Sequence, residues 1–304
     1  MTAGVVRVLP AVASALAHGN AVVALESSVL AQGLPVPANR TAARSMVEAV
    51  ESRGAVAAIM AVVRGIPTAG LTEEELERFL ARDGIAKVSA RDLALTIARA
   101  SDGATTVAAA IVLARLAGID VLATGGIGGV HRAPPFDESA DLAELARTPM
   151  IVVCSGAKAI LDLRATAERL DTLGVPVLGY RTPELPAFYG AESGIPVQQV
   201  DDVRTIVSVY RAHRALGRSS ALLVVQPPPA PFALPGSVVE RAVVEGVRES
   251  TRAGVQGSAV TPFLLAHVDK ATAGRAREVN LALLEQNAAL AASIAVALVA
   301  SDSR

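Results

Sequence analysis

Residues 123–158 bring together the side chains of this chain that are best suited to chemistry. A loop of four glycines, one histidine, four carboxylates and a lysine occupy about a tenth of the sequence. Apolar runs that predict buried strands lie on both sides of the loop, ending near Thr124 and Cys154. We therefore expect the functional site to be built around this stretch.

The glycine loop, residues 125–129, follows one of these predicted strands. Glycines allow backbone amides to turn toward an anion, which suits phosphate. The loop is not a dinucleotide fingerprint, because His131 stands where a third glycine is needed, and no Lys-Ser or Lys-Thr pair of a nucleotide-binding P-loop follows. A tight turn under close packing is the alternative interpretation.

The carboxylates of this stretch lie at a predicted helix start. Acidic residues there offset the helix dipole, and Ser139 is a candidate cap. The functional alternative is a hard cation, Mg²⁺ or Mn²⁺, held by oxygen ligands and water. The four residues are Asp137, Glu138, Asp141 and Glu144.

Lysine is rare in this chain, because only Lys87, Lys158 and Lys270 are lysines among 28 basic residues. Arginine stays protonated in proteins, whereas a desolvated lysine can become a neutral nucleophile. Lys158 is predicted in the first turn of a helix, where the dipole effect of about 0.3–1 kcal/mol is less than one pKa unit. Burial or a second cation such as Lys87 must therefore make its amine reactive. Lys270 is predicted to be exposed.

Three further residues are candidates on weaker grounds. Glu26 ends an apolar strand, so it is either a solvated strand tip or a half-buried general acid. His131 could contact substrate or be incidental to the loop. Cys154 is predicted to be a small apolar strand residue rather than a nucleophile.

Composition excludes several classes of protein. The 304 residues are 52% hydrophobic and 19% charged, which favours a large core over disorder. The net charge of −1 and the scarcity of aromatic residues argue against a nucleic-acid groove. A single cysteine gives no disulfide framework, so the expected location is the cytoplasm. The apolar run 288–300 is shorter than a membrane span and predicts a buried helix.

Predicted strands and helices alternate along the chain without a repeat or a long linker. This pattern predicts one α/β/α domain over residues 1–304, with a central mixed sheet flanked by helices. We expect an N-terminal helical extension at 1–20 and a candidate lid at 181–196, which is too irregular for the core. A helix capped by Asn39 is predicted to run to Ser52. Further helices are predicted over residues 73–82, 103–118 and 157–174, and residues 65–70 are predicted to form a turn.

Seven segments together resemble the pseudouridine-5′-phosphate glycosidase family, also known as indigoidine synthase A-like proteins. The resemblance runs from residue 21 to near the C-terminus in the family's order. The segments are ALESSVLAQGLP, GATTVAA, ATGGIGGVHR, FDESADL, VCSGAK, VPVLGYRTPELPAF and VTPFLLAHV.

This resemblance implies an activity and a fold. The family reversibly hydrolyses the C–C glycosidic bond of pseudouridine 5′-phosphate to ribose 5-phosphate and uracil. It implies a homotrimer of α/β/α subunits with one Mn²⁺ ion per subunit, for which Mg²⁺ is the alternative. A phosphosugar lyase of another kind that also uses a lysine imine, and an inactive phosphometabolite-binding protein, remain alternatives.

The resemblance also implies residue roles. Lys158 resembles the family's Schiff-base nucleophile, Glu26 its proton donor and Asp137 its metal ligand. An imine to C1′ of ring-opened ribose would supply an electron sink for a carbon leaving group, while Lys87 and the glycine loop hold phosphate. The positions implied to bind substrate are Lys87, Val107, Thr124, His131, Ser139, Ala140, Asp141 and Asn287.

The chain departs from the family pattern at a few positions. Ser28 stands where Thr is usual, Gln32 where His is usual, and Glu138 where an apolar residue is usual. The loop between His131 and Asp137 is about two residues short. These differences bear on metal geometry and substrate preference.

Overall fold

The computed structural model describes residues 5–132, 137–255 and 257–302. Within them, a twisted sheet is built from strands that run mostly parallel. The strands are β1 Arg7–Val8, β2 Val22–Glu26, β3 Val56–Val63, β4 Ile66–Ala69, β5 Ala86–Val88, β6 Gly103–Thr105, β7 Val121–Ala123, β8 Ile151–Cys154, β9 Val177–Tyr180, β10 Gln198–Val200 and β11 Leu222–Val225.

Helices connect most of these strands. They are α1 Pro10–Ala17, α2 Ala38–Glu51, α3 Glu73–Ala81, α4 Leu93–Ala98, α5 Val107–Leu116, α6 Ala140–Arg147, α7 Leu163–Thr172, α8 Val203–Ala215, α9 Gly236–Arg252, α10 Val260–Ala271 and α11 Arg275–Asp302.

The sheet order is β1-β4-β3-β2-β7-β8-β11-β9-β10, with β6 pairing both β3 and β5. Only the pairings of β3 with β4 and with β6 are antiparallel among the described strands. Every residue of β2, β7, β8 and β11 is buried, as expected for parallel strands covered on both faces. The predicted α/β/α class with a central mixed sheet is confirmed.

Two groups of helices cover the sheet. Helix α11 packs against α2, α8 and strands β2, β7 and β8, while α5 packs against β2, β3, β7 and α6. Among the described residues, α11 is the one helix long and apolar enough to suit a membrane span. Half of that stretch is buried in the fold, so α11 serves here as a core helix, as predicted for residues 288–300.

Several local predictions are confirmed. Thr72 and Glu75 form the capping box that begins α3. Ser139 caps α6, because its hydroxyl accepts a hydrogen bond from the Asp141 amide. Lys270 is exposed on α10.

Other local predictions are wrong. Residues 66–69 form β4, which pairs with β3, and residues 103–105 form β6 instead of the first turn of a helix. Asn39 does not cap α2, because it lies inside the helix and is fully buried. Its side-chain amide donates instead to the carbonyls of Leu30 and Leu80, and so joins three segments.

The two chain segments predicted as an extension and a lid have more structure than expected. Residues 5–20 contain β1, which pairs with β4, followed by α1, whereas residues 1–4 lie outside the described residues. The segment 181–196 is irregular, but Leu185, Phe188 and Tyr189 are buried in the core. The prediction that it lies outside the core is therefore wrong, and its movement as a lid stays a prediction.

Candidate active site

A cavity of about 390 Å³ opens at the carboxyl ends of β2, β7 and β8. Ligands of open α/β sheets bind at this edge. Most of the side chains predicted from the sequence meet there, although they come from distant parts of the chain. The predicted residues that line the cavity are Glu26, Lys87, His131, Asp137, Ser139, Ala140, Asp141 and Lys158.

Glu26 is the last residue of β2 and its side chain is buried. The parallel register of β2 and β7 pairs Leu25 with Ala123, so Thr124 follows beside Glu26. Thr124 donates a hydrogen bond to one carboxylate oxygen of Glu26, and Ser28 donates to the other at 2.6 Å. Both oxygens of Glu26 therefore accept a hydrogen bond from a hydroxyl, which fixes the orientation of the carboxylate at the cavity.

Thr124 does not line the cavity, although it was predicted to contact substrate. Its hydroxyl is used to orient Glu26. The structure therefore gives Thr124 a positioning role, and a direct contact with substrate stays a prediction.

Lys158 lies in a turn after β8, not in a helix. Helix α7 begins only at Leu163 and is capped by Asp162, so the predicted opposition between the helix dipole and the Lys158 ammonium is wrong. The Lys158 amide donates to the carbonyl of Ile127 at 3.0 Å, which attaches this turn to the glycine loop. In the described part of the chain, neither Lys158 nor Lys87 has a carboxylate partner within ion-pair distance.

Lys87, on β5, supplies the second cation that the sequence predicted beside Lys158. Burial lowers the pKa of Lys87 most, and the Lys158 ammonium lowers it further, against the opposing effects of Glu26 and Asp141. The pKa shift therefore arises from groups of the same cavity. Two amines and two carboxylates thus interact in one cavity, although β2, β5 and β8 are not adjacent strands of the sheet.

Close packing explains the glycine loop. A Cβ on Gly126 would lie 2.6 Å from the Phe188 ring, and a Cβ on Gly128 would collide with Ser139. The amide of Gly128 donates to the side chain of Asp141 at 2.8 Å, so it is not free to bind a phosphate ligand. A tight turn under close packing, the alternative interpretation of the sequence, therefore accounts for these glycines. A phosphate contact by the amides of the loop stays a prediction.

Asp141 joins three parts of the site. One carboxylate oxygen accepts from the amide of Ala108 at 2.9 Å, in the first turn of α5, and the other accepts from Gly128. Asp141 itself lies in the first turn of α6 and is buried. Because both oxygens are occupied by backbone amides, Asp141 shapes the cavity wall.

Helices α5 and α6 both begin at this cavity. Val107, the first residue of α5, has a buried side chain, so it can contribute to the site only through its backbone. Ala140, the first residue of α6, lines the cavity. Helix N-termini favour phosphate groups, so these two are the structure's best candidates for holding one.

Asp137 and His131 lie together at one side of the cavity. The ring nitrogen Nδ1 of His131 is 3.4 Å from a carboxylate oxygen of Asp137, whose side chain is 45% exposed. Glu138 is paired with Arg169 at 2.9 Å. Residues 133–136, on which the predicted shortening of this loop falls, lie outside the described residues.

The acidic side chains suit a metal ion only if water completes its coordination. No group of three His, Cys, Asp or Glu side chains with metal-binding geometry occurs among the described residues. Of the carboxylates in the first turn of α6 and just before it, Asp141 is bonded to backbone amides and Glu138 is paired with Arg169, which leaves Asp137 to face the cavity. A hard cation held through one carboxylate, water and substrate oxygens fits this arrangement.

Asn287 of α11 lies beneath the site and is fully buried. Its amide nitrogen donates to the carbonyl of Thr124 at 2.9 Å and to the Ser155 hydroxyl at 3.2 Å. These contacts fix the ends of β7 and β8 relative to each other. Asn287 does not line the cavity, so it has a positioning role, and its direct contact with substrate stays a prediction.

Sequence reasoning missed several residues of the cavity. The hydroxyl of Thr106, the N-cap of α5, is buried without a hydrogen-bond partner. A threonine before a small-residue helix was the available signal. Phe188, with φ of 63°, and Thr261 and Leu265 of α10 also line the cavity. All three lie in segments that resemble the family, but their residue types indicated no chemical role.

Cys154 has the structural role predicted for it. It is completely buried in β8, and burial raises the pKa of its thiol to about 12. A thiol with this pKa stays protonated near neutral pH and is a poor nucleophile.

The chain matches the family model described as indigoidine synthase A like protein over residues 11–297. It is 58% identical, over 96% of both chains, to a protein of Gemmatimonas aurantiaca named pseudouridine-5′-phosphate glycosidase. A protein of Herpetosiphon aurantiacus with the same name is 48% identical over 95% of this chain and 96% of its own.

Two solved structures share the fold. The crystal structure of the prealnumycin C-glycosynthase AlnA in complex with ribulose 5-phosphate has a TM-score of 0.91 and 39% identity, over 98% of both chains. An indigoidine synthase A-like protein of Thermotoga maritima has a TM-score of 0.89 and 36% identity, over 97% of this chain and 96% of that one.

The coupling between the two amines of the cavity can be measured directly. Lysine side chains labelled by reductive ¹³C-methylation give few NMR signals in a chain with three lysines, so each can be titrated. We expect Lys87 to titrate below the ordinary lysine value of about 10.4 and to titrate higher in a Lys158→Met variant, which lacks the neighbouring positive charge. A Lys270→Met variant is the control and should leave Lys87 unchanged. An unaltered Lys87 titration in Lys158→Met would contradict the geometry.

Proposed function

The chain belongs to the family of indigoidine synthase A-like proteins, and we propose that it is a pseudouridine-5′-phosphate glycosidase that acts through an imine of Lys158. The substrate is pseudouridine 5′-phosphate, and the products are ribose 5-phosphate and uracil. The names of the most similar relatives support this activity, and ribulose 5-phosphate on a structural neighbour supports a phosphosugar as ligand.

One observation carries the proposal. Lys158 and Lys87 share a cavity with Glu26, and no carboxylate of the described residues pairs with either amine. Burial and the Lys158 ammonium lower the pKa of Lys87, so the two amines of this cavity are electrostatically coupled. A glycosidase that cleaves a carbon–oxygen bond needs only two carboxyl groups, whereas a carbon leaving group needs an electron sink of the kind an amine supplies.

The reaction is balanced with water as the only co-substrate. The Lys158 nitrogen bonds to C1′ as the C1′–O4′ bond breaks and O4′ takes up a proton. The nitrogen lone pair then forms the imine while the C1′–C5 bond breaks and the uracil carbon takes up a proton. Water hydrolyses the imine, which releases ribose 5-phosphate and restores the amine.

Glu26 is the group placed to move these protons. Its carboxylate is fixed from both sides by Ser28 and Thr124, and it interacts electrostatically with Lys87. It accepts the proton that Lys158 loses and returns a proton to O4′ or to the uracil carbon. Lys87 and the N-termini of α5 and α6 hold the phosphate, so that binding energy far from the bond orients the sugar.

A divalent cation, Mn²⁺ with Mg²⁺ as the alternative, completes the proposed site. Asp137 would hold it, with His131 beside the carboxylate. When bound, the ion supplies positive charge to oxygen atoms of the substrate. A homotrimeric assembly and a cytoplasmic location, both expected from the sequence, remain predictions.

Release of uracil tests the activity and separates it from the alternatives. With pseudouridine 5′-phosphate and Mn²⁺, we expect the protein to release uracil and ribose 5-phosphate in equal amounts. Lys158→Ala should lose at least about 10³-fold in kcat, because the covalent route disappears, and Lys270→Ala should retain full activity.

A variant that removes a hydrogen bond to Glu26 tests its role in proton transfer. Thr124→Val should lower kcat by about tenfold or more with little change in KM, because it misplaces a proton-transfer group without touching substrate.

Ribose 5-phosphate binding without uracil release would identify an inactive binding protein. Cleavage of the sugar's own carbon chain would identify a different lyase, and either result would contradict the proposal.

Binding of Mn²⁺ tests the role of Asp137 without any activity measurement. Titration of the protein with Mn²⁺, followed by the electron paramagnetic resonance of the free ion, should show affinity that falls at least about tenfold in Asp137→Asn. Glu138→Gln is the matched control, because Glu138 is already paired with Arg169 and its loss should leave the affinity unchanged. Equal affinity in wild type and Asp137→Asn would remove Asp137 from the metal site.

A further inference from the structure

A second cavity of about 330 Å³ lies apart from the active site, also on the carboxyl edge of the sheet. Its walls come from the ends of β9 and β11, from α11 and from the turn that follows α2. The polar side chains that matter there are Arg53, Tyr180, Arg181, Gln226, Gln286 and Ser293. We name it the arginine cavity after Arg53 and Arg181.

Two guanidinium groups face the arginine cavity without a carboxylate to balance them. Arg53 donates to the hydroxyl of Ser293 at 3.1 Å, and Arg181 donates to the carbonyl of Asp201 at 3.2 Å. Arg181 also lies over the Tyr180 ring, 4.9 Å from its centre, which fixes its plane. Within the described residues neither arginine has an acidic partner, so both retain donors for an oxyanion.

The backbone at Arg181 supports a role for its side chain. Its φ is 56°, in the left-handed region that favours glycine and is unfavourable for other residues. A glycine would fit this conformation more easily, yet the position carries an arginine aimed at a cavity. Residues held in such conformations cluster at ligand sites.

The cavity also contains a buried acceptor with no donor, and the side-chain amides around it have only one consistent orientation. Asn287 must point its nitrogen at the Thr124 carbonyl, so its oxygen accepts from the Gln226 nitrogen at 2.9 Å. The Gln226 oxygen then accepts from the Gln286 nitrogen at 2.9 Å. The remaining oxygen, Oε1 of Gln286, is buried and has no partner.

This acceptor calls for a donor from a ligand. A buried carbonyl oxygen without a hydrogen bond is unfavourable, and Gln286 lines the cavity, so a bound hydroxyl or N–H group that reached this oxygen would be favoured. Reversing the Gln286 amide would place its oxygen against the oxygens of Gln226 and Pro227, so a flip of the side-chain amide does not satisfy this atom.

We propose that the arginine cavity binds a small hydroxylated oxyanion, a phosphate monoester or a carboxylate of polyol or sugar type, with the anion on Arg53 and Arg181 and a hydroxyl donated to Gln286. Its volume suits a metabolite of this size. The site is separate from the cavity that holds Lys158, so its occupancy does not depend on the proposed reaction.

Calorimetric titration with glycerol 3-phosphate tests the proposal on the full-length protein. We expect a binding component that weakens at least about tenfold in the Arg53→Gln, Arg181→Gln double variant and persists in Lys87→Gln, which alters only the active-site cavity. The matched control, Arg44→Gln with Arg248→Gln, removes two exposed arginines outside the cavity and should bind as wild type does.

Sulfate, an oxyanion without donors, tests the role of Gln286. Gln286→Met should weaken glycerol 3-phosphate binding and leave sulfate binding unchanged. Binding that is the same in wild type and the double arginine variant would overturn the proposal. A change in the oligomeric mass of the double variant would also overturn it, because the arginines would then belong to a contact between copies of the chain.

Discussion

The active-site cavity depends on the hydrogen bonds that Asp141 accepts from two backbone amides. They join the first turn of α5 to the glycine loop, and Asp141 itself stands in the first turn of α6. The loss of one of these donors would destabilise the fold by about 1.5–3 kcal/mol, the range for a hydrogen bond to a charged group. The side chains of Ser139 and Asp141 also leave no room for a Cβ atom at Gly128. The wall of the cavity is therefore fixed before any ligand binds.

The chemistry is confined to one edge of the sheet because the strands are buried on both faces. Where β2, β7 and β8 end, polar groups support one another: Asn287 holds the strand ends, Thr124 orients Glu26, and the Lys158 turn is attached to the glycine loop. This arrangement places an amine and a carboxylate on rigid elements, as catalysis by covalent attachment requires. The arginine cavity lies at the same edge, where β9 and β11 end.

The sequence predicted the fold class, the central strands and most of the residues that meet in the cavity, because apolar strand patterns and the chemical type of a residue are local properties. Rare lysines singled out Lys158 and Lys87, and the structure places them together. The surroundings of these residues could not be predicted. The glycine loop is shaped by Phe188, Ser139 and Thr166, which are distant or unremarkable in the sequence, and a stretch of good helix formers after Lys158 concealed a turn. Asn39 is likewise a residue type that often caps helices, but in the fold its side chain is buried and bonds to the carbonyls of Leu30 and Leu80.

The claim that Lys158 forms an imine with the sugar is tested most directly by trapping it. Borohydride added to the protein with ribose 5-phosphate should reduce the imine to a stable amine, and peptide mass spectrometry should find one sugar phosphate on Lys158 and none on Lys87 or Lys270. The Lys158→Ala protein should take up no sugar under the same conditions. An unmodified Lys158, or an adduct that persists in the alanine variant, would contradict the account.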